Sequence, residues 1–153
     1  ENRKMAHELV APGANAESLV EQVKNVAKNM LQKAGIAVKV NYKNFDESLL
    51  SNEQKLAAYR IVQEQCNNIH KYAEAKKVVF LLDTSATSFL LIIKDNGKGM
   101  DKNKHTDGIG IQNIKNRAGV FNGHVNITTK PGAGFMLSVE IPLTAATVDY
   151  IPQ

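Results

Sequence analysis

The sequence predicts an α/β (α+β) fold, a two-layer sandwich of a mixed β-sheet with helices on one face. Hydrophobic residues recur with a period near 3.6 in some segments and near 2 in others, so helices and half-buried strands both occur. The elements alternate as α-β-α-β-β-α-β-β, an order that suits helices packed on a sheet. With 153 residues the chain is long enough to bury about two thirds of its unfolded surface in one core.

Residues 1–10 read as a polar helix, broken off by Ala11-Pro12-Gly13-Ala14. From Asn15 the spacing Leu19, Val20, Val23, Val26, Ala27, Met30, Leu31 predicts a helix stopping at Gly35. The period then changes: Ile36, Val38, Val40 and Tyr42 alternate with polar or small residues, which predicts a strand with that set on its buried face. Ser51 and Gln54 have the spacing of a capping box and open a helix running to about Tyr72. Lys77–Asp83 and Ser88–Asp95 read as strands joined by Thr84-Ser85-Ala86-Thr87. The unbroken apolar run Phe89–Ile93 is the pattern that burial on both sheet faces selects. A polar loop covers 96–107, a helix starts near 108–111 and ends before Gly123, and Val125–Thr129 with Phe135–Ile141 form a closing hairpin around Pro131-Gly132-Ala133-Gly134.

Composition narrows the function. The lone Cys66 has no disulfide partner and no Cys or His at metal-ligand spacing, which favours a reducing compartment. No apolar stretch approaches a membrane span, and Glu1 opens no signal-peptide pattern. The start at Glu1 without Met is that of a piece of a longer protein. Net charge is +4, but the lysines are scattered rather than clustered with aromatics, so no nucleic-acid surface is expected.

Two stretches carry chemistry. In "KDNGKGM" an acid at the mouth of a strand is followed by backbone bare of side chains, which offers a hydrogen-bond acceptor to something that must come close. Asn-Gly is equally a common hairpin turn. In "IVQEQCNNIHKYA", at helical spacing, Asn68 projects roughly 40° from Glu64, Lys71 roughly 20° the other way and Tyr72 roughly 80° round, while His70 points roughly 120° away. A carboxylate, an amide, an ammonium and a phenol on one face make a candidate site; a solvated face with i,i+4 pairs has the same pattern.

The segments "YRIVQEQCNNIHKYA", "DNGKGM", "DGIGIQNIKNR" and "KPGAGF...IPL", in this order, resemble the four nucleotide-binding motifs of the catalytic ATP-binding domain of sensor histidine kinases. That family belongs to the GHKL superfamily with its Bergerat-type fold, which also contains gyrase and heat-shock chaperone ATPases. The resemblance covers about residues 15–143 and is closest to the subfamily with a short lid, here Asp101–Asp107. It implies that Asp95 accepts from the exocyclic amine of adenine, a choice that suits an acceptor-only carboxylate. Gly97 and Gly99 let backbone approach the base, and Met100 lines it. Asn68 is the implied magnesium ligand, Lys71 meets phosphate oxygens, and Tyr72 stands where many relatives carry His. Gly108, Ile109, Gly110 and Ile111 form the second glycine box, where bare N–H groups at a helix start cradle phosphates. Gly134 belongs to the last motif, with Phe135 where the superfamily usually has a supporting threonine. Glu64 is the acid proposed in the family to polarise the attacking group.

The implied cofactors are ATP and Mg2+, and the implied function is γ-phosphoryl transfer to a histidine in two-component signalling. Residues 1–14 are then the tail of a dimerising, phosphoacceptor helical domain and 15–153 the ATP-binding domain. His7 lies too close to the catalytic domain to be the phosphoacceptor. The expected partners are that helical domain and a downstream response regulator. The full-length protein is expected to be a homodimer, with or without a membrane anchor, and this cytoplasmic part a monomer without direct membrane contact. A serine kinase of the anti-sigma-factor type is the alternative within the superfamily; a His-Asp or His-Glu motif upstream of Glu1 distinguishes the two.

Overall fold

The computed structural model describes residues 17–101 and 109–143; the expected helix over 1–10, His7, most of the lid and Gly108 lie outside them. Helix α1, Leu19–Met30, starts where the Ser18 hydroxyl accepts the Glu21 N–H at 3.1 Å. The Glu47 carboxylate accepts the Leu19 N–H through both oxygens at 2.9 and 3.0 Å, placing negative charge at the positive helix end. A 3-10 turn, Gln32–Ala34, leads into Gly35 at φ 89°, the left-handed stop that the sequence places there.

Strand β1, Ala37–Asn41, is shorter than the predicted Ile36–Tyr42, and its inward Val38 and Val40 are only half buried. Tyr42, expected on the buried face, is 42% exposed, with the Lys24 ammonium 4.8 Å from its ring centroid. β1 is an edge strand and Tyr42 lies past its end, so nothing on the sheet side covers the ring. Helix α2, Asn52–Asn68, carries the complete capping box: Ser51 Oγ accepts the Gln54 N–H at 3.0 Å, and Gln54 Oε1 accepts the Ser51 N–H at 2.9 Å.

Past Asn68 the chain changes to a π-helical turn, Ile69–Ala73, that ends on Glu74 at φ 53°. A wider turn advances each residue by less than an α-helix does, so the projection that put Lys71 near the row of Glu64 fails beyond Asn68. His70, Lys71 and Tyr72 are all exposed on this turn.

Strands β2, Lys77–Thr84, and β3, Ser88–Asp95, form a local antiparallel hairpin, and α2 makes the crossover that sets β1 parallel to β2. Helix α3, Ile109–Gly119, leads to β4, His124–Thr129, and β5, Phe135–Pro142. The sheet has five strands in the order β1-β2-β3-β5-β4 and is mixed, as the element order predicts.

One face of this sheet is the core. Val78, Phe80 and Leu82 of β2, Phe89, Leu91 and Ile93 of β3, and Leu137, Val139 and Ile141 of β5 are fully buried with Val23, Ile61, Val62 and Ile114 of the helices. Each such side chain contributes about 1.5–3 kcal/mol relative to exposure. Leu90 and Ile92 correct the expectation of two-sided burial, because they point to the other face and are half exposed. All three helices join the single core layer, so the apolar run of β3 marks the central position of the strand rather than a second cover.

Candidate functional site

The end of β3 carries Asp95, 3% exposed, the most buried carboxylate among the described residues. Its Oδ1 accepts the Gly97 N–H at 2.8 Å, and burial holds its pKa above the usual carboxylate range although that hydrogen bond pulls the other way. The loop that follows is nailed down on three sides. Asn96 Oδ1 accepts the N–H groups of Lys76 and Lys77 at 2.8 and 2.9 Å, tying it to the start of β2. Lys98 N–H donates to the Ala73 carbonyl at the end of the π turn at 2.8 Å, and a β-carbon at Gly97 would collide with that same carbonyl. Gly132 N–H donates to Lys98 O at 2.6 Å, and Met100 N–H to Thr129 Oγ1 at 3.1 Å, while Thr129 Oγ1 donates to Gly134 O at 2.6 Å. Gly99, at φ 66°, has no room for a side chain beside the Lys130 carbonyl.

Because Asp95 holds its proton to higher pH when folded than when unfolded, the ionised form opposes folding. Stability attributable to this group is greatest below the ordinary carboxylate value of 3.8 and falls as pH rises through the raised folded value, remaining low at neutrality. Asp95→Asn keeps an acceptor for the Gly97 N–H and removes the charge. The variant is expected to melt at a higher temperature than wild type at pH 7 in the absence of ligand, with the gap closing below about pH 4. Equal melting temperatures at both pH values would show that burial of Asp95 carries no electrostatic penalty.

Across α2 and α3 the structure brings Glu64, Asn68 and Gly110 together. A β-carbon at Gly110 would lie 2.7 Å from Asn68 Oδ1, 2.8 Å from Glu64 Oε2 and 3.0 Å from Asn68 Nδ2, so bare backbone at the start of α3 rests directly against the two side chains. Neither the Glu64 carboxylate nor Asn68 Oδ1 has a hydrogen-bond partner among the described residues, which leaves these three oxygens available. Ile111, on the core side of α3, is buried. Lys71 and Tyr72, the latter 62% exposed, lie on the π turn that follows α2. Cys66 is buried and its thiol is pushed up to about 12, so it stays protonated and plays a packing role.

Residues 53–145 match the family described as the histidine kinase-, DNA gyrase B-, and HSP90-like ATPases. The chain belongs to this family. Among curated proteins this ATPase-family domain is 30% identical over 145 residues to the signal transduction histidine-protein kinase/phosphatase DegS of Brevibacillus brevis, a match covering 94% of the domain and 37% of DegS. The domain thus spans little more than a third of that relative. Among solved structures, the histidine kinase domain of the blue-light activated histidine kinase of Erythrobacter litoralis EL346 superposes with a TM-score of 0.72 at 17% identity, over 90% of this chain and 69% of that one. Full-length ShkA in complex with AMPPNP gives 0.70 at 19% identity, over 88% and 32% respectively. Both show the same fold.

Three residues in this ATPase-family domain escaped the sequence reading. Asn96 pins the loop through a local side-chain-to-backbone motif that its position after a strand could have signalled. Gln65 sits in the apolar row Ala58, Ile61, Val62, Cys66, Ile69, where an amide is out of place. Thr129 gave no signal, because its partners lie in a different turn and in the loop after β3.

Proposed function

We propose that this domain binds Mg-ATP where α2, the 95–101 loop and the start of α3 meet, and that in its parent protein it passes the γ-phosphoryl group to a histidine on a helical domain. The observation that carries the reading is the convergence of Glu64 and Asn68 on the bare backbone of Gly110, with a buried, ionisable Asp95 at the end of β3. The name of DegS as a histidine-protein kinase and the AMPPNP complex of ShkA support it, and favour a histidine over a serine as acceptor. The response regulator, the dimeric parent and the cytoplasmic setting belong to the same proposal.

Asp95 selects the base. With Oδ1 committed to Gly97 N–H, its second oxygen is the acceptor for the amine of adenine and repels the carbonyl oxygen of guanine. The N–H groups at the start of α3, aided by the helix dipole, hold phosphate oxygens. The donor set fits magnesium: an amide oxygen without a partner on Asn68, and no cluster of three His, Cys, Asp or Glu side chains among the described residues, suit a hard ion held mainly through substrate phosphates. When bound, the ion supplies neutralisation of phosphate charge. Glu64 accepts a hydrogen bond from one imidazole N–H of the incoming histidine, leaving the lone pair of the other nitrogen as the nucleophile.

Asp95→Asn tests the base assignment. The Gly97 N–H keeps the amide oxygen, so the variant turns its NH2 toward the adenine amine, donor against donor. An unsatisfied buried group costs about 1–3 kcal/mol, so ATP affinity is expected to fall roughly tenfold or more by calorimetry, while GTP affinity does not fall. Equal affinity of the wild-type domain for ATP and GTP would remove Asp95 from the role.

A further inference from the structure

Gln65 is buried among apolar neighbours on α2, 2% exposed, in a row otherwise filled by Ile61, Val62, Cys66 and Ile69. An amide in such a place opposes folding unless it is hydrogen bonded, and any aliphatic side chain of similar size would fill the space. Its Oε1 accepts a hydrogen bond from Asn68 Nδ2 at 3.1 Å, one turn along the same helix. Asn68 has two chemically opposite ends, an oxygen that attracts cations and an NH2 that repels them. The hydrogen bond to Gln65 engages one N–H of the NH2, turning that end toward Gln65, and leaves the oxygen. Gly110 closes the other side: its bare backbone packs so near that a β-carbon would lie 2.7 Å from Asn68 Oδ1 and 3.0 Å from Nδ2. The amide is held between a buried acceptor and a backbone wall.

We propose that Gln65 is a positioning residue that fixes the Asn68 amide with its oxygen presented to the divalent cation of the bound nucleotide. The proposal rests on the reading of Asn68 as the cation's protein ligand. Gln65 itself touches neither cation nor nucleotide. Its role is that of an outer partner that orients a ligand, a class of contact whose loss typically costs 10–100-fold in metal affinity.

The test measures ATP affinity of the domain by calorimetry, once with excess magnesium and once with EDTA, so that the ratio isolates the magnesium-dependent gain. Gln65→Met keeps the shape and loses the acceptor; it is expected to lose roughly tenfold of that gain while affinity in EDTA stays at the wild-type value. Gln65→Glu restores an acceptor and is expected to restore the gain. A Gln65→Met domain that keeps the full gain, or that loses affinity equally in magnesium and EDTA, overturns the positioning role. Asn68→Ala separates the two readings: if it keeps the gain, Asn68 is not the ligand and Gln65 has nothing to position. If it loses the gain and Gln65→Met does not, only the positioning role is overturned. The wild-type protein gives a variant-free check by NMR, in which the Asn68 side-chain NH2 is expected to exchange with solvent more slowly than that of Asn67. Equal exchange rates for the two amides overturn the proposal even should Gln65→Met fail to fold.

Discussion

Glu64→Gln is expected to slow phosphoryl transfer to histidine by about 10²–10⁴-fold while leaving nucleotide affinity nearly unchanged. The substitution keeps the size and planarity of the side chain while removing its charge and exchanging one acceptor oxygen for an NH2, so the close fit of this side chain against Gly110 survives. What is lost is the carboxylate proposed to draw on the imidazole N–H and sharpen the attacking nitrogen. Asn68→Ala is expected to behave in the opposite sense, weakening Mg-ATP binding itself, because the amide oxygen is the proposed contact between protein and the phosphate-bound ion. Both variants belong in the full-length protein, or with the proposed helical domain added in trans, with phosphohistidine formation and nucleotide affinity read on the same preparations. A Glu64→Gln enzyme that lost binding and transfer in equal proportion would make Glu64 a structural residue.

Gly134→Ala is expected to destabilise the domain by roughly 2–5 kcal/mol, lowering the melting temperature by about 10 °C. Two costs combine at this position. Gly134 sits at φ 75°, where a β-carbon crowds its own backbone, at about 1–2 kcal/mol. That β-carbon would also run into the Asp95 carbonyl oxygen on the neighbouring strand, and relief requires β3 and β5 to part where the acid sits. Nucleotide affinity should therefore fall with stability. Gly132 provides the control: its φ is 79°, yet a β-carbon there meets nothing within 4 Å. Gly132→Ala should show only the conformational cost, and equal losses at the two positions would mean that the contact with Asp95 yields without penalty.

How much of this was legible in the sequence follows from the range of each interaction. The helical stripe of α1, the capping box of α2 and the β2–β3 hairpin are local patterns, and each lies within a few residues of where the sequence places it. Glu64 and Asn68 share a face because four residues of regular helix separate them, which a helical projection captures. The same projection does not extend to Lys71 and Tyr72, because the π turn begins just beyond Asn68. That turn ends where Ala73 O receives the N–H of Lys98, from a loop that no local pattern connects to it. Gln65 escaped the sequence reading although an amide on a core row is a signal, and its purpose emerged only with Gly110 on the far side of Asn68. Leu90 and Ile92 show the limit of composition, since an apolar run does not reveal how many layers cover a strand.

The strand order carries a consequence for how the chain folds. β2 and β3 meet across the short Ser85–Thr87 turn, whereas Asp95 meets Phe135 only after α3 and β4 have been traversed. Loop closure favours the hairpin first and the β3–β5 zipper late. Asp95 and its partner Phe135 on β5 are therefore strangers until the final strand docks, and a nascent chain released only as far as β4 has Asp95 without that neighbour. Nucleotide cannot guide the early steps of folding. It acts on the finished domain, which it stabilises by binding the native state alone.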